Sequence, residues 1–541
     1  MQNANFFFSK PENEPIWEFR AGTDETRKLK EAMVQLERDK TEIFPIIDGK
    51  EVKTGDVAEW TMPHDHKNVI SRYHKVRKED VAHAIEAATK AHKIWENLDW
   101  KDRSAVLLRC ADLCSTKYRY LLNAAVMTSM SKNPFEAEID AIGESVDNMR
   151  YAAHYMSQIA ATQPYNTNDA LNVVEYRPLE GFMYVITPFN FLAIGSFGNS
   201  CSIVSGNTTI WKMSADVLLP AYYLMKIFKE AGMPDGVINF LPGSGQLISD
   251  VALHHKDFAG CAFVGSNKTF YGLWKEVGNN IDKYKNFPKL SGETGGKAFC
   301  FLHPSADVNA AAVSIIRAGY AYQGQKCGAC ARVYCPESLW PQLKQELCDM
   351  LSEIKVGDPH DFSNYMNAVI DKDAYTRIMG YIDYAKNSKD AKVIYGGTGD
   401  DSVGYFIQPT LIQTTDPHFK LMEEEIFGPI VTAYVYEDGK FEDTVDICDN
   451  TSPYALCGCI FAEDRKAVTY LTEKLRYAAG NYYINDKCIG AVAGYQPFGG
   501  ARASGTNDKS GGPTYVLRFT SPRLIKEGLH PLYDWKYPHL L

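Results

Sequence analysis

Residues 181–213 read GFMYVITPFNFLAIGSFGNSCSIVSGNTTIWKM. An apolar run at 182–186 stops at Thr187-Pro188, a helix-like run follows at 197–205, and Gly206-Asn207 leads into a second apolar run at 208–212. The pattern repeats as helix 218–231, strand 237–241, helix 246–254 and strand 260–264. Short apolar strands alternating with helix-length segments are the mark of a doubly wound parallel sheet joined by crossover helices. After Gly292 the alternation starts afresh, with strand 299–302, helix 308–320, strand 331–335 and helix 340–353. A long connecting region runs to Phe419, before strands 430–436 and 457–461 and helix 465–475. This reads as a second α/β domain.

Upstream, residues 1–60 carry mixed charge and one strand-like patch at 43–47, which ends at the turn Asp48-Gly49. Helices are predicted over 77–95, from an N-cap at Asp102 onward, and over 134–157; the stripe of the second makes Cys110 and Cys114 core residues. Residues 163–179 are rich in turn formers and end in a strand at 171–176, an extended arm. The tail 515–525 alternates Tyr515, Leu517 and Phe519, the pattern of an edge strand open to pairing with another chain.

The chain has 541 residues, 45% of them hydrophobic and 23% charged, so a large core spread over two or three domains is expected. With 57 basic against 67 acidic residues the net charge is −10, which argues against nucleic acid as the main partner. The first ten residues lack a signal or transit pattern, and the apolar stretch 181–198 is broken by Pro188 and Asn190, so no membrane span is expected. Thirteen scattered cysteines suit free thiols in a reducing compartment. The pair Cys327/Cys330 has no second pair at zinc-finger distance, and His64-Asp65-His66 and His254-His255 lack helical ligand spacing. Solvated loop histidines and no metal site are the expectation.

Four pieces can be assembled into one reaction. Cys327 follows the turn Gly324-Gln325-Lys326, and a cysteine is a nucleophile as its thiolate. Glu293 sits in the Gly-rich turn 292–297, where a carboxylate can activate water. Asn190 falls just past the first strand of the sheet, where a side-chain amide can donate to an oxyanion. Gly265-Ser266 ends another strand before a helix-like run, a place for phosphate, and Lys212 ends a third strand on the same edge. Read alone, these are a core cysteine, a turn acid, a turn asparagine, a common strand–helix loop and a solvated lysine. Their shared order is what distinguishes them.

That order resembles the NAD(P)-dependent aldehyde dehydrogenase superfamily. The motifs are Thr-Pro-Phe-Asn (187–190), Trp-Lys (211–212), Phe-Val-Gly-Ser (263–266), Gly-Glu-Thr-Gly-Gly-Lys (292–297), Gly-Gln-Lys-Cys (324–327), Glu-Glu-Ile-Phe-Gly-Pro (424–429) and Pro-Phe-Gly-Gly (497–500). Residues 323–330, 483–487 and 496–509 resemble its 1-pyrroline-5-carboxylate, or glutamate-semialdehyde, dehydrogenase branch. The resemblance implies an NAD-binding Rossmann-like domain at 1–162 and 181–292, a catalytic domain at 293–509, and a β oligomerisation arm at 163–180 and 510–541. It also implies that Cys327 attacks the aldehyde, Asn190 and the Cys327 amide hold the oxyanion, and Glu293 activates water against the thioester. Thr187, Lys212, Ser214, Gly265, Ser266, Glu425 and Phe427 would contact NAD. Glu138, Phe191, Lys326, Gly328, Gly490, Ala491 and Phe498 would contact the substrate, with Glu138 on its ammonium group.

The implied function is NAD-dependent oxidation of L-glutamate γ-semialdehyde to glutamate, the second step of proline breakdown. Alternatives are another carboxylated or aliphatic semialdehyde, or a catalytically silent scaffold. A homodimer or higher oligomer and a cytoplasmic location, or the mitochondrial matrix for a processed chain, complete the expectation. Two positions depart from the branch: Gly328 stands where it carries a hydroxyl, and Ile489-Gly490-Ala491 stands for Thr-Gly-Ser/Ala. Each lost hydrogen bond to a charged carboxylate is worth about 1.5–3 kcal/mol. Asp216, near the place of the ribose 2′-OH, points to NAD rather than NADP.

Overall fold

The computed structural model describes residues 7–541, so the reading of the first ten residues falls partly outside it. Strand Phe182–Thr187 is buried at every position, as its unbroken apolar run requires. It lies within a seven-stranded sheet ordered Lys289–Glu293, Phe258–Val264, Phe182–Thr187, Thr208–Met213, Ile238–Phe240, Ile46–Ile47, Lys50–Glu51. The strands from 182 to 293 pair in parallel. The two short N-terminal strands close one edge antiparallel. From Phe182–Thr187 the chain first builds to one side and then returns to build on the other. The order therefore reverses between the strands that end at Thr187 and Val264, the switch point at which open α/β sheets hold ligands.

The second sheet runs Ala391–Tyr395, Thr410–Thr414, Ile430–Tyr436, Cys330–Pro336, Ala298–Leu302, Cys457–Phe461, Asn481–Ile484. Only Ala391–Tyr395 is antiparallel to its neighbour. Residues leaving the C-terminal edge of the first sheet meet residues entering the second. Asn190 Nδ2, just past Phe182–Thr187, donates to the Gln325 carbonyl at 3.1 Å, just ahead of Cys330–Pro336. Among the described residues no helix is long and apolar enough to cross a membrane. All thirteen cysteines are free, with Cys110 and Cys114 in the core.

Several expectations need correction. The region up to Phe419 is not a bare connection: it holds helix Lys372–Lys386 and strands Ala391–Tyr395 and Thr410–Thr414. Helix Asp24–Asp39 lies within the segment read as mixed charge; it buries only Thr26, Leu29, Met33 and Leu36 beneath a charged exterior, and Thr23 caps its start. The tail is a helix before it is a strand. Tyr515 and Phe519, two strand repeats apart, are also i,i+4, and their rings meet edge-on at 5.0 Å within and just past helix Pro513–Arg518. Strand Thr520–Gly528 follows and pairs antiparallel with Ala170–Pro178, nine residues against nine. His64 is no solvated loop residue, being only 2% exposed.

Candidate active site

Cys327 is carried on a strained turn. Tyr322 and Gln323 both adopt left-handed backbone, at φ 50° and 56°, with Gly324 following at φ 67°. Such conformations cost a non-glycine residue about 1–3 kcal/mol and persist only where neighbours hold them. Here Gln323 Nε2 donates to the carbonyls of Ser131 at 3.0 Å and Ala368 at 2.8 Å, while its Oε1 accepts from the Asn367 amide at 3.0 Å. Gln325 Oε1 accepts from the Ile370 amide at 2.9 Å. Glycine is required at 324, since a Cβ there would sit 2.2 Å from the Gly428 carbonyl oxygen. The turn presents Cys327 to a cavity of about 180 Å³ whose wall also includes Glu293.

Burial favours the neutral form of both reacting groups. Burial, with the Glu425 and Glu293 carboxylates nearby, pushes the Cys327 thiol up to about 12. Burial also pushes Glu293 well above the usual carboxylate range, against the pull of the Gly500 amide and Lys509. Glu293 Oε2 accepts from the Gly500 amide at 2.9 Å. That bond fixes the carboxyl at the end of strand Lys289–Glu293, in the chain between the two sheets.

At the switch point, Trp211 Nε1 donates to Thr187 Oγ1 at 3.1 Å. Ser214 donates to Asp216 at 2.9 Å, and burial raises Asp216 to about 7. Lys212 is lowered by burial, which outweighs the attraction of Asp216. Helix Asn267–Asn279 opens on the same edge with Ser266 as its N-cap, so its first amides point outward. Glu425 accepts from the Gly296 amide at 2.8 Å and is raised to about 7 by burial. The Phe427 ring meets Phe189 edge-on at 5.6 Å. A half-buried ammonium, a helix N-terminus and a half-buried carboxyl fit the ribose hydroxyls and pyrophosphate of a dinucleotide.

A family model described as "Aldehyde dehydrogenase family" matches residues 51–525. The chain belongs to the aldehyde dehydrogenase family. It is 45% identical over 534 residues, 98% of this chain and 96% of the other, to a protein of Dictyostelium discoideum named "Delta-1-pyrroline-5-carboxylate dehydrogenase, mitochondrial". The human protein of that name is 42% identical over 98% of this chain and 94% of its own. Among solved structures, the delta-pyrroline-5-carboxylate dehydrogenase of Mycobacterium tuberculosis bound with NAD superposes with a TM-score of 0.96 at 40% identity, each chain fully covered.

In this aldehyde dehydrogenase, Phe191, Lys326, Gly328, Gly490, Ala491 and Phe498 line the same cavity as Cys327. Glu138 does not, and its expected contact with substrate is corrected. Its carboxylate is fully buried, bonded to Arg119 and Asn123 and, at 3.0 Å, to the Trp17 amide. Glu144 faces the cavity instead. The cause is local: Glu138–Glu144 is a π-helical turn, which rephases the helix so that an acid one regular turn would turn elsewhere reaches the wall. A helix break was not readable from 134–157, but a second acid six residues on was. Burial and the Asp140 carboxylate push Glu144 up to about 8. Asn148 and Cys488 also line the wall and were not singled out in the sequence.

The glycine at 328 has a packing reason. A Cβ there would lie 3.1 Å from Cys457 Sγ, so the sulfur of the neighbouring strand occupies the room of the missing side chain. Lys326 pairs with Glu136 at 2.6 Å. The CxxC partner Cys330 is buried in strand Cys330–Pro336.

Proposed function

We infer that this chain oxidises L-glutamate γ-semialdehyde, the open form of 1-pyrroline-5-carboxylate, to L-glutamate with NAD, the second step of proline breakdown. The observation that carries the reading is Cys327 and Glu293 on one cavity wall, with the Asn190 amide bonded two residues from the nucleophile. The Cys327 thiol loses its proton to solvent, and the resulting thiolate adds to the aldehyde carbon. The Asn190 side chain turns from the Gln325 carbonyl to the developing oxyanion, joined by the Cys327 amide. NAD, when bound, supplies the acceptor for the hydride that leaves this carbon. The thioester left on Cys327 is attacked by a water whose proton Glu293 takes, and the thiolate departs. Burial raises the Glu293 carboxyl, and the base is its ionised form.

Lys212 and Glu425 hold the two riboses, Thr187, Ser214, Gly265 and Ser266 the remainder of the dinucleotide, and Phe427 packs by the nicotinamide. The amides of Gly490 and Ala491 receive the substrate carboxylate, Phe191 and Phe498 flank its chain, and Glu144 meets its ammonium. A second reading, another carboxylated or aliphatic semialdehyde, is favoured by one feature. Gly328, Ile489 and Ala491 carry no hydroxyl at the positions where the branch carries one. Steady-state rates on glutamate semialdehyde, succinate semialdehyde and straight-chain aldehydes decide between them. A kcat/KM highest for the amino acid aldehyde supports the first reading, and one higher for an aldehyde lacking the ammonium overturns it.

The ribbon of Ala170–Pro178 and Thr520–Gly528 exposes Leu171, Val173, Leu524 and Ile525, and the tail beyond exposes Tyr533 and Trp535. Apolar surface on an open two-stranded ribbon supports a homodimer in which each ribbon adds to the partner's sheet. A monomeric mass in solution scattering overturns this. The thirteen free thiols suit the cytoplasm or the mitochondrial matrix, which subcellular fractionation distinguishes.

A further inference from the structure

His64 lies in the turn between strands Val57–Met62 and Asp65–His74 and is 2% exposed. Neither of its ring nitrogens has a hydrogen-bond partner. A neutral imidazole carries one donor and one acceptor, and leaving each buried and unmade costs about 1–3 kcal/mol. The turn is not free to swing the ring out. Tyr405 donates its amide to the Pro63 carbonyl at 3.0 Å, and Gly404 packs so closely that a Cβ would lie 2.5 Å from the His64 carbonyl oxygen.

The ring faces His360 and Asp358, in the loop after helix Trp340–Glu353. One ligand atom from each of the three residues lies within 4.8 Å of the others. The two imidazoles meet edge-on with centroids 5.9 Å apart. His360 Nδ1 is 2.7 Å from Asp358 Oδ1, and its Nε2 is 2.7 Å from Glu37 Oε1 on helix Asp24–Asp39. Asp358 is about half exposed, which leaves a path from solvent.

We propose that His64, Asp358 and His360 form a structural zinc site, with Glu37 as the partner that orients His360. Two imidazoles and a carboxylate are a borderline donor set that suits zinc; magnesium and calcium prefer oxygen alone. Bonds of about 2.0–2.2 Å at tetrahedral angles set ligand atoms about 3.4 Å apart, so the wider pairs draw in by up to about 1.4 Å while the 2.7 Å pair of His360 Nδ1 and Asp358 Oδ1 opens by about 0.7 Å. An imidazole bound to metal through one nitrogen, with the other donating to a carboxylate, is the usual arrangement around zinc. The ion satisfies one His64 nitrogen and ties three segments distant in sequence: the N-terminal helix, the hairpin turn and the loop of the second sheet's domain. A water completes the four ligands. The site is separate from the cavity at Cys327 and takes no part in the oxidation.

The test uses the full chain, stripped with a chelator and titrated with zinc chloride, and with cobalt as a spectroscopic probe. Thirteen free thiols also bind these metals, so cobalt is the deciding probe. The expected result is one retained equivalent of zinc, a raised Tm, and a cobalt spectrum with tetrahedral d–d bands and no sulfur-to-cobalt charge transfer. His64→Asn and His360→Gln lose that equivalent and the Tm rise, while Glu37→Gln weakens binding about 10–100-fold. No tight equivalent in the parent protein, a sulfur charge-transfer band in its cobalt spectrum, or undiminished retention by folded His64→Asn each overturns the proposal. The parent spectrum decides the matter even where a variant fails to fold.

Discussion

Serine at position 328 restores the hydroxyl that the glutamate-semialdehyde branch carries beside its nucleophile, and the structure says what it meets. An ideal Cβ falls 3.1 Å from Cys457 Sγ, 3.6 Å from the Cys488 carbonyl oxygen and 3.8 Å from Cys457 Cβ. Only the first contact is tighter than ordinary packing. Cys457 is 2% exposed and Cys488 fully buried, so the sulfur has little room to retreat. Overpacking of this kind costs about 1–2 kcal/mol, and stiffening the unfolded chain returns about 0.4–1 kcal/mol. Gly328→Ser is therefore expected to lose about 1 kcal/mol in urea unfolding. Adding Cys457→Ala removes the opposing sulfur, and the double-mutant cycle is expected to show a favourable coupling of about 1 kcal/mol. In the double variant the new hydroxyl can reach the substrate carboxylate, so KM for 1-pyrroline-5-carboxylate falls about tenfold, the equivalent of ~1.4 kcal/mol. A Gly328→Ser protein as stable as its parent, or a coupling below about 0.3 kcal/mol, refutes the account of why glycine stands here.

Glu293→Gln is expected to give one burst of NADH per active site and a steady rate lower by about 10²–10⁴-fold, with the acyl adduct on Cys327 visible by intact mass. Parent-like turnover refutes the assignment of the base. Glu144 is pushed up to about 8 by burial, above its ordinary 4.5, so between these values the folded chain holds a proton that the unfolded chain has released. That group's contribution to stability is thus greatest at low pH and declines as pH rises through the window. Glu144→Gln removes the decline, and its stability relative to the parent should climb from about pH 5 to about pH 8 in parallel denaturant series. Equal pH slopes would count against the buried placement of the carboxyl. Arg119→Met strands the fully buried Glu138 carboxylate and should cost about 3–5 kcal/mol, largely recovered by adding Glu138→Gln. Denaturant midpoints check both.

The parallel strands Phe182–Thr187, Phe258–Val264 and Ile430–Tyr436 were legible because their runs are almost wholly apolar, whereas Lys289–Glu293, Thr410–Thr414 and Asn481–Ile484, which carry polar residues, were not. Strand Phe182–Thr187 and helix Val308–Tyr320 fall almost where the sequence puts them. Helix Asp24–Asp39 was hidden by its charge, since its buried stripe holds only three apolar residues, Leu29, Met33 and Leu36. Cys327, Glu293 and Asn190 were legible as motifs, but the left-handed backbone at Tyr322 and Gln323 was not. Nothing in those residue types asks for positive φ; the partners that impose it, Ser131, Asn367 and Ala368, come from elsewhere in the chain. Glu144 was missed for a related reason, because a π-turn changes the phase of a helix without a sequence signature. His64 read as a loop histidine because the residues that enclose it, Gly404 and His360, are distant in sequence.

The account rests on one thiol acting on one aldehyde, and the most direct test follows NADH absorbance with 1-pyrroline-5-carboxylate for the parent protein and for Cys327→Ala. The prediction is turnover in the parent and none in the variant, with NAD binding retained by both. A Cys327→Ala protein that still turns over, or a parent that binds NAD and oxidises no aldehyde, would contradict it.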